Sequence, residues 1–256
     1  MKKKITFLGT GTSHGVPMIG CHCEVCTSDD PRDRRLRTSL MIEAGGVRVV
    51  IDAGPDFRQQ MLHHKVEDVS AILLTHEHRD HTGGLDEVRS INYFKRHDMP
   101  IYCTARTAEA MRRDYAYAFG ENRYPGAPAL SLREIDSLEE FSVGELQFRP
   151  VYGSHSFLPV VGYRFGECAY LTDFKSIEED EVEKLKGVEL LIINALRHAP
   201  HPSHLSLNEA IAIAERVAPR EVYFTHFCHE IGLYTEIEPS LPEGMHLAYD
   251  GLKLEI

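Results

Sequence analysis

The run Thr75-His76-Glu77-His78-Arg79-Asp80-His81 follows directly on the apolar stretch Ala71-Ile72-Leu73-Leu74, and Gly83-Gly84 turns the chain just beyond it. Three imidazoles and two carboxylates thus fall within residues 76–81, where a buried strand would end. Imidazole and carboxylate are the ligands that borderline and harder divalent ions prefer. The spacing H-x-H-x-D-H cannot wrap every ligand around one ion from a single helix or strand face. It suits a loop that feeds two adjacent ions, His76 and His78 to one, Asp80 and His81 to the other. A chain with such a loop must fold so that further ligands arrive from elsewhere.

Three later positions offer them. His155 follows Val151-Tyr152-Gly153-Ser154, Asp173 ends Ala169-Tyr170-Leu171-Thr172, and His226 ends Val222-Tyr223-Phe224-Thr225. Each repeats what happens at His76, an apolar strand that stops on a metal-compatible residue. Ligand-bearing loops gathered at one edge of a sheet scaffold are where a site is expected. Asp52, which closes Val49-Val50-Ile51 before Ala53-Gly54, is a carboxylate placed to orient a ligand histidine.

The rest of the pattern is a layered α/β domain. A strand is expected at Lys3–Leu8, and a hairpin joins Leu40–Glu43 to Val47–Ile51 across Ala44-Gly45-Gly46. Helices are expected over Pro55–Lys65, Leu85–Arg96 and Thr107–Phe119. In the second half the strands are Leu146–Arg149, Val160–Phe165, Ala169–Leu171, Leu190–Asn194, Val222–Thr225 and His246–Ala248. Helices are read there at Ile177–Leu185 and Leu207–Val217, the latter with a Ser206/Glu209 capping-box spacing. Strands and helices intermixed with hairpins indicate mixed sheets with helices packed on them. With no linker, repeat or low-complexity tract among 256 residues, a single domain over 1–256 is the simpler reading.

A second metal motif stands near the start. Gly20-Cys21-His22-Cys23-Glu24-Val25-Cys26 contains C-x-C-x2-C, and three thiolates so close can hold three corners of a zinc tetrahedron. The fourth ligand must come from elsewhere; His22, Cys228 and His229 are the candidates.

With these motifs in hand, the chain resembles the metallo-β-lactamase superfamily, and within it the cyclic phosphodiesterases of phosphonate degradation, with ribonuclease Z more distant. The stretch Gly9-Thr10-Gly11-Thr12-Ser13-His14-Gly15-Val16-Pro17 shares that likeness; His14 in it is read as structural. The resemblance implies an αββα sandwich, two mixed β-sheets face to face with helices outside. It assigns His76, His78 and His155 to one ion, Asp80, His81 and His226 to a second, and Asp173 to a bridge between them. It implies a structural zinc on Cys21, Cys23, Cys26 and His229, and a role at the leaving group for His204, in Ser203-His204-Leu205-Ser206-Leu207-Asn208. His198 and His201 compete for that role, and His63, His64 and His97 read as solvated helix-face residues. Asp80 is included with His204 among the residues on which turnover depends.

The expected chemistry is hydrolysis of a small, possibly cyclic, phosphate diester by a hydroxide shared between two divalent ions, zinc or manganese. No G-x-S-x-G elbow supplies a serine nucleophile instead. The same metal loop serves thioester, lactone and lactam hydrolases, which form the alternative; a tRNA-processing ribonuclease or a non-catalytic metal module ranks lower. A net charge of −11 disfavours stable nucleic-acid binding, while bound cations would still attract a small anionic substrate. Six cysteines in a chain expected to be cytoplasmic do not read as a disulfide framework, and the three that are bunched point to metal instead. No apolar run is long enough for a membrane helix, and a homodimer stays open. The aromatic segment 114–126 is either packing or a lid over the site.

Overall fold

The computed structural model describes residues 2–119, 123–137 and 139–256. The first half forms a sheet from β1 (Lys4–Gly9), β2 (Ser39–Ala44), β3 (Val47–Ile51), β4 (Ala71–Leu73), β5 (Met99–Cys103) and β6 (Leu130–Glu134), and the last strand of the chain, Lys253–Glu255, pairs beside β1. The second half forms another from β7 (Phe141–Val143), β8 (Leu146–His155), β9 (Leu158–Phe165), β10 (Cys168–Leu171), β11 (Leu190–Asn194), β12 (Glu221–Thr225) and β13 (Met245–Leu247). Each sheet is antiparallel on one side and parallel on the other: β3, β4, β5 and β6 run parallel in the first, and β10, β11, β12 and β13 in the second.

The side chains explain the layering. One apolar cluster joins Ile5, Phe7, Ile42 and Leu73 of the first sheet to Phe148, Tyr163, Phe165 and Ile192 of the second, so the sheets pack face to face. A second cluster buries the outer face of the first sheet under α1 (Phe57–His63), α3 (Val88–Lys95) and α4 (Ala105–Asp114), with the one-turn α2 (Arg79–Thr82) between α1 and α3 in sequence. A third buries the outer face of the second sheet under α5 (Glu179–Glu183) and α6 (Leu207–Val217). The arrangement is the expected four-layer sandwich. No helix is long and apolar enough to cross a membrane among the described residues.

Several boundaries differ from the expectation. Strands β5, β6, β7 and the C-terminal one were not anticipated, and β8 runs on to His155. Leu85–Glu87 is a separate 3-10 turn before α3, and α4 stops at Asp114, after which Tyr115 leaves helical geometry and 116–118 form a 3-10 turn. The helix read over Ile177–Leu185 shortens to Glu179–Glu183 because Glu178 is extended. Around α6 the capping box is formed, Ser206 Oγ accepting from Glu209 N–H and Glu209 Oε2 from Ser206 N–H at 2.8 Å. His97 lies beyond α3, not on its face, with its ring 3.1 Å from Asp68.

The sheets matter for function because their parallel strands end on the same edge, where open α/β sheets place ligands. Asp52 follows β3, His76 lies just past β4, Asp173 just past β10, and His226 follows β12. The segment after β3 and the metal loop are pressed together. Ala53 N–H donates to His81 O at 2.8 Å, and a Cβ on Gly54 would lie 1.9 Å from Asp80 O, so only glycine fits.

Candidate metal centre

Asp52, Asp173 and His226 share a backbone signature: φ of 64°, 62° and 61°, in the left-handed region that non-glycine residues seldom adopt. Each stops a strand abruptly and turns its side chain back towards the sheet edge. Strain of this kind, about 1–3 kcal/mol per residue, persists where the surroundings over-determine it and clusters at functional sites.

The side chains converge in two groups. His76, His78, His155 and Asp173 bring four potential ligand atoms within 4.8 Å of one another, and so do Asp80, His81, Asp173 and His226. Asp173 belongs to both. Its Oδ2 lies 3.7 Å from His76 Nε2 and 3.4 Å from His81 Nε2, and its Oδ1 lies 2.9 Å from His226 Nε2. His76 Nε2 and His78 Nδ1 face each other at 2.9 Å.

Outer partners decide which nitrogen each ring presents. The Thr75 hydroxyl donates to Asp52 Oδ2 at 2.9 Å and can accept from His76 Nδ1–H at 3.0 Å, leaving the His76 Nε2 lone pair for the site. His81 Nδ1–H donates to Asp52 Oδ2 at 2.7 Å, and His155 Nδ1–H to Ser203 O at 2.7 Å. Asp52 is itself fully buried and accepts from Thr75 N–H, so one carboxylate sets two rings of the loop after β4, His81 directly and His76 through Thr75.

These residues fit divalent ions on the structure's own terms. His81 Nε2 and both ring nitrogens of His226 are buried and, although Asp173 lies close to two of them, none makes an aligned hydrogen bond among the described residues, an expensive arrangement unless something binds them. Burial works against charge on His81, yet the carboxylates of Asp173, Asp80 and Asp52 overcome it and hold that ring well above its ordinary pKa. Burial likewise opposes ionisation of Asp173, and the rings of His226 and His81 more than compensate, keeping the carboxyl well below its usual range. Such a pocket of buried carboxylates and inward lone pairs is built to neutralise cations.

Asp52→Asn should therefore weaken active-site metal affinity by about 10–100-fold, the usual cost of losing an outer-sphere partner. Whichever way the amide turns, its NH2 would face a donor, His81 Nδ1–H or Thr75 N–H, so one of the two contacts that fix the loop is lost. Competition against a chromogenic chelator would measure this, and unchanged affinity would remove Asp52 from the centre.

The cysteines form a third group. Cys21, Cys23, Cys26 and His229 converge within 4.8 Å, with His229 Nδ1 at 3.3 Å from Cys21 Sγ and 3.2 Å from Cys23 Sγ. Cys228 turns away, its Sγ towards Glu230 at 3.7 Å, and His22 is not among the four. The Cys26 backbone N–H, aided by His229, lowers the Cys23 thiol to about 6, so it is largely thiolate, the ligating form, at neutral pH. Cys26 is held up at about 11, mainly by burial, and would deprotonate only on binding an ion.

His204 stands among the ligands without belonging to either group. Its ring centroid lies 4.5 Å from that of His155 and 4.9 Å from that of His226, and its Nε2 is 3.4 Å from Asp173 Oδ2. Its Nδ1 meets Ser203 Oγ at 3.0 Å and His201 Nδ1 at 3.1 Å. His198 is exposed and bonded to Ile231 O, away from this group. Sequence reading missed Ser203, whose carbonyl and hydroxyl hold two different histidines. It also read His14 as structural; the ring is exposed and lines a cleft beside His204, because the Thr12–Gly15 turn puts it outward.

Of the aromatic segment 114–126, residues 120–122 lie outside the described residues. Tyr115 is 2% exposed and its hydroxyl donates to Thr82 O at 2.7 Å, so it buttresses the metal loop from behind. Tyr117 and Tyr124 are exposed and stack on each other, ring centroids 6.1 Å apart.

Two helix-flanked mixed sheets with a histidine- and aspartate-rich edge define the class of metallo-β-lactamase-fold hydrolases. Residues 47–227 match the family described as the beta-lactamase superfamily domain, and the chain belongs to that family. It is 43% identical over 248 residues to an octanoyltransferase of Porphyromonas gingivalis, covering 96% of this chain and 50% of that protein. The crystal structure of a diphosphatase from the PhnP family superposes with a TM-score of 0.93 at 41% identity, covering 100% of this chain and 98% of the other. The short form of human tRNase Z superposes with a TM-score of 0.70 at 18% identity over 98% of each chain, a likeness of fold. The chain spans half the length or less of the curated relatives it matches.

Proposed function

We propose that the protein is a phosphoesterase that hydrolyses a phosphate diester or diphosphate, using divalent ions, zinc or manganese, at the two groups that share Asp173. His76, His78 and His155 would hold one ion, Asp80, His81 and His226 the other, and Asp173 both. Two such ions, when bound, acidify water and neutralise a phosphoryl group under attack. Cys21, Cys23, Cys26 and His229 would hold a structural zinc.

The observation that carries the phosphate reading is the position of His204. Burial lowers its pKa, so the ring rests neutral. If His201 Nδ1–H donates to Ser203 Oγ (3.2 Å) and Ser203 Oγ–H to His204 Nδ1, the proton on His204 sits at Nε2. That N–H faces the region in front of Asp173, where charge develops on a departing oxygen, and can stabilise or protonate it. The PhnP-family diphosphatase supports this reading, since it matches the chain from end to end. The acyl-transfer name of the other relative attaches to a protein twice as long.

His204→Ala should lower kcat by about 10²–10⁴-fold, the range for a positioned acid or base, with active-site metal content unchanged. Full turnover in the metal-loaded variant would remove His204 from the chemistry. The reading itself is tested by comparing an aryl phosphodiester, a five-membered cyclic ribose phosphate and a dinucleoside diphosphate with a glutathione thioester and a lactone. Phosphate-ester turnover is expected; thioester or lactone turnover alone would assign the chain to carbon-ester hydrolysis.

A further inference from the structure

Beside His204 opens a cleft of about 370 Å³ between the Thr12–Met18 loop and the Leu196–His204 loop. Cys228, His229 and Glu230 close its third side, so the cysteine cluster shapes this wall. The charge in it is unlike the rest of the chain. In a protein of net charge −11, one carboxylate, Glu230, lines the cleft, against Arg197 and the rings of His14 and His201. Glu230 is already paired with Arg197 Nη1. Arg197 keeps a donor in hand: Nη2 only reaches Pro200 O at 3.5 Å, while Nε is buried and has no partner among the described residues.

We propose that this cleft is the subsite for the leaving portion of the substrate and that it selects one bearing its own phosphate, as half of a diphosphate does. The inference rests on the phosphate-ester reading above. In that reaction the oxygen of water bonds to the attacked phosphorus and the bond from phosphorus to the leaving oxygen breaks. The electron pair stays on that oxygen, which gains a proton by way of His204, and water's other proton passes to solvent. A leaving phosphate keeps its charge as it moves past His204, and Arg197, His14 and His201 line the space it enters. Guanidinium is suited to this, presenting parallel N–H groups to phosphate oxygens. A site equipped for such bonds discriminates against a leaving group that cannot make them.

Arg197→Met and, independently, His14→Ala test the proposal against two substrates, a dinucleoside 5′,5′-diphosphate and bis(p-nitrophenyl) phosphate, whose leaving group carries no phosphate. Arg197→Met should lower the ratio of kcat/KM for the diphosphate to that for the aryl diester roughly tenfold or more, the loss expected for one charge-assisted hydrogen bond. Most of the change should lie in KM. His14→Ala, which removes an exposed ring, should shift the ratio the same way. A ratio unchanged in both variants, with both substrates turned over, would overturn the subsite and leave the phosphoesterase reading standing. Failure of the wild type on both substrates would sink that reading and the subsite together, and turnover of the aryl diester alone would sink the subsite. A readout apart from activity is the NMR signal of the His14 and His201 rings. Both should move when adenosine monophosphate is titrated in, and stay fixed with adenosine; the absence of any phosphate-dependent shift would also overturn the proposal.

Discussion

Asp173→Asn should abolish stable loading of the paired ions and lower kcat/KM by at least about a thousandfold, well beyond the 10–100-fold typical of losing an outer partner. The size follows from position. Asp173 is the member common to both ligand groups, and its two oxygens lie 2.9–3.7 Å from His76, His81, His204 and His226. Removing its charge would untie both proposed ions at once and take away the partner of His204 Nε2. Asparagine is the informative replacement because it keeps the volume and tolerates the left-handed backbone at φ 62°, where alanine would add strain. Loss of activity then reports the charge and not a collapsed turn. Elemental analysis of the purified variant should show the active-site ions depleted while the zinc on the cysteines stays. A variant that keeps all its ions and its turnover would refute a shared role for Asp173.

His76, Asp173 and His226 were legible as candidate ligands because each comes shortly after an apolar strand. Val222–Thr225 is read as a strand from its composition, and a histidine at its end needs an explanation that a loop histidine does not. The fold was legible for the same reason in its central strands. Its edges were not. Strand β14 (Lys253–Glu255) and β6 (Leu130–Glu134) carry charged residues and lie at the ends of the first sheet, where one side of a strand meets water and the pattern is diluted. Pro100 in β5 argues against a strand, since it can donate no ladder bond.

The positions that did not show in the sequence are those decided by backbone geometry. Nothing in the residue types of Asp52, Asp173 or His226 announces a positive φ, although aspartate and histidine are among the side chains that accept it most readily. Nor does composition reveal that Ser203 uses its carbonyl on one histidine and its hydroxyl on another, because that depends on the path of a non-regular loop. The direction of the His14 ring did not show for a related reason. A histidine in a Gly-rich turn gives no periodicity from which to infer the direction of its ring.

Cys21→Ser should cost one zinc ion per chain and a large part of the thermal stability. If free zinc exceeds its dissociation constant a thousandfold, linkage alone contributes about 4.1 kcal/mol. At roughly 2–4 °C per kcal/mol for a domain of this size, the melting temperature should fall by roughly 8–16 °C. The site joins segments far apart in the chain, the loop at Cys21–Cys26 and His229, so its loss frees both. Catalysis should suffer less than stability, because the loop after β12 has a second anchorage that needs no metal. Phe227 N–H donates to Thr10 O and Thr12 N–H to Phe227 O, each at 2.9 Å, which holds His226 between a strand end and a two-bond clasp. Active-site ions should therefore remain in Cys21→Ser, and the diphosphate should lose more affinity than the aryl diester, since His229 and Cys228 line the proposed leaving-group cleft. Calorimetry with elemental analysis separates the cases. An unchanged melting temperature and zinc count would mean that the cysteines hold no structural ion. A loss of all ions together would mean that the cluster and the catalytic edge fold as one unit, with the clasp at Phe227 too weak to hold His226 alone.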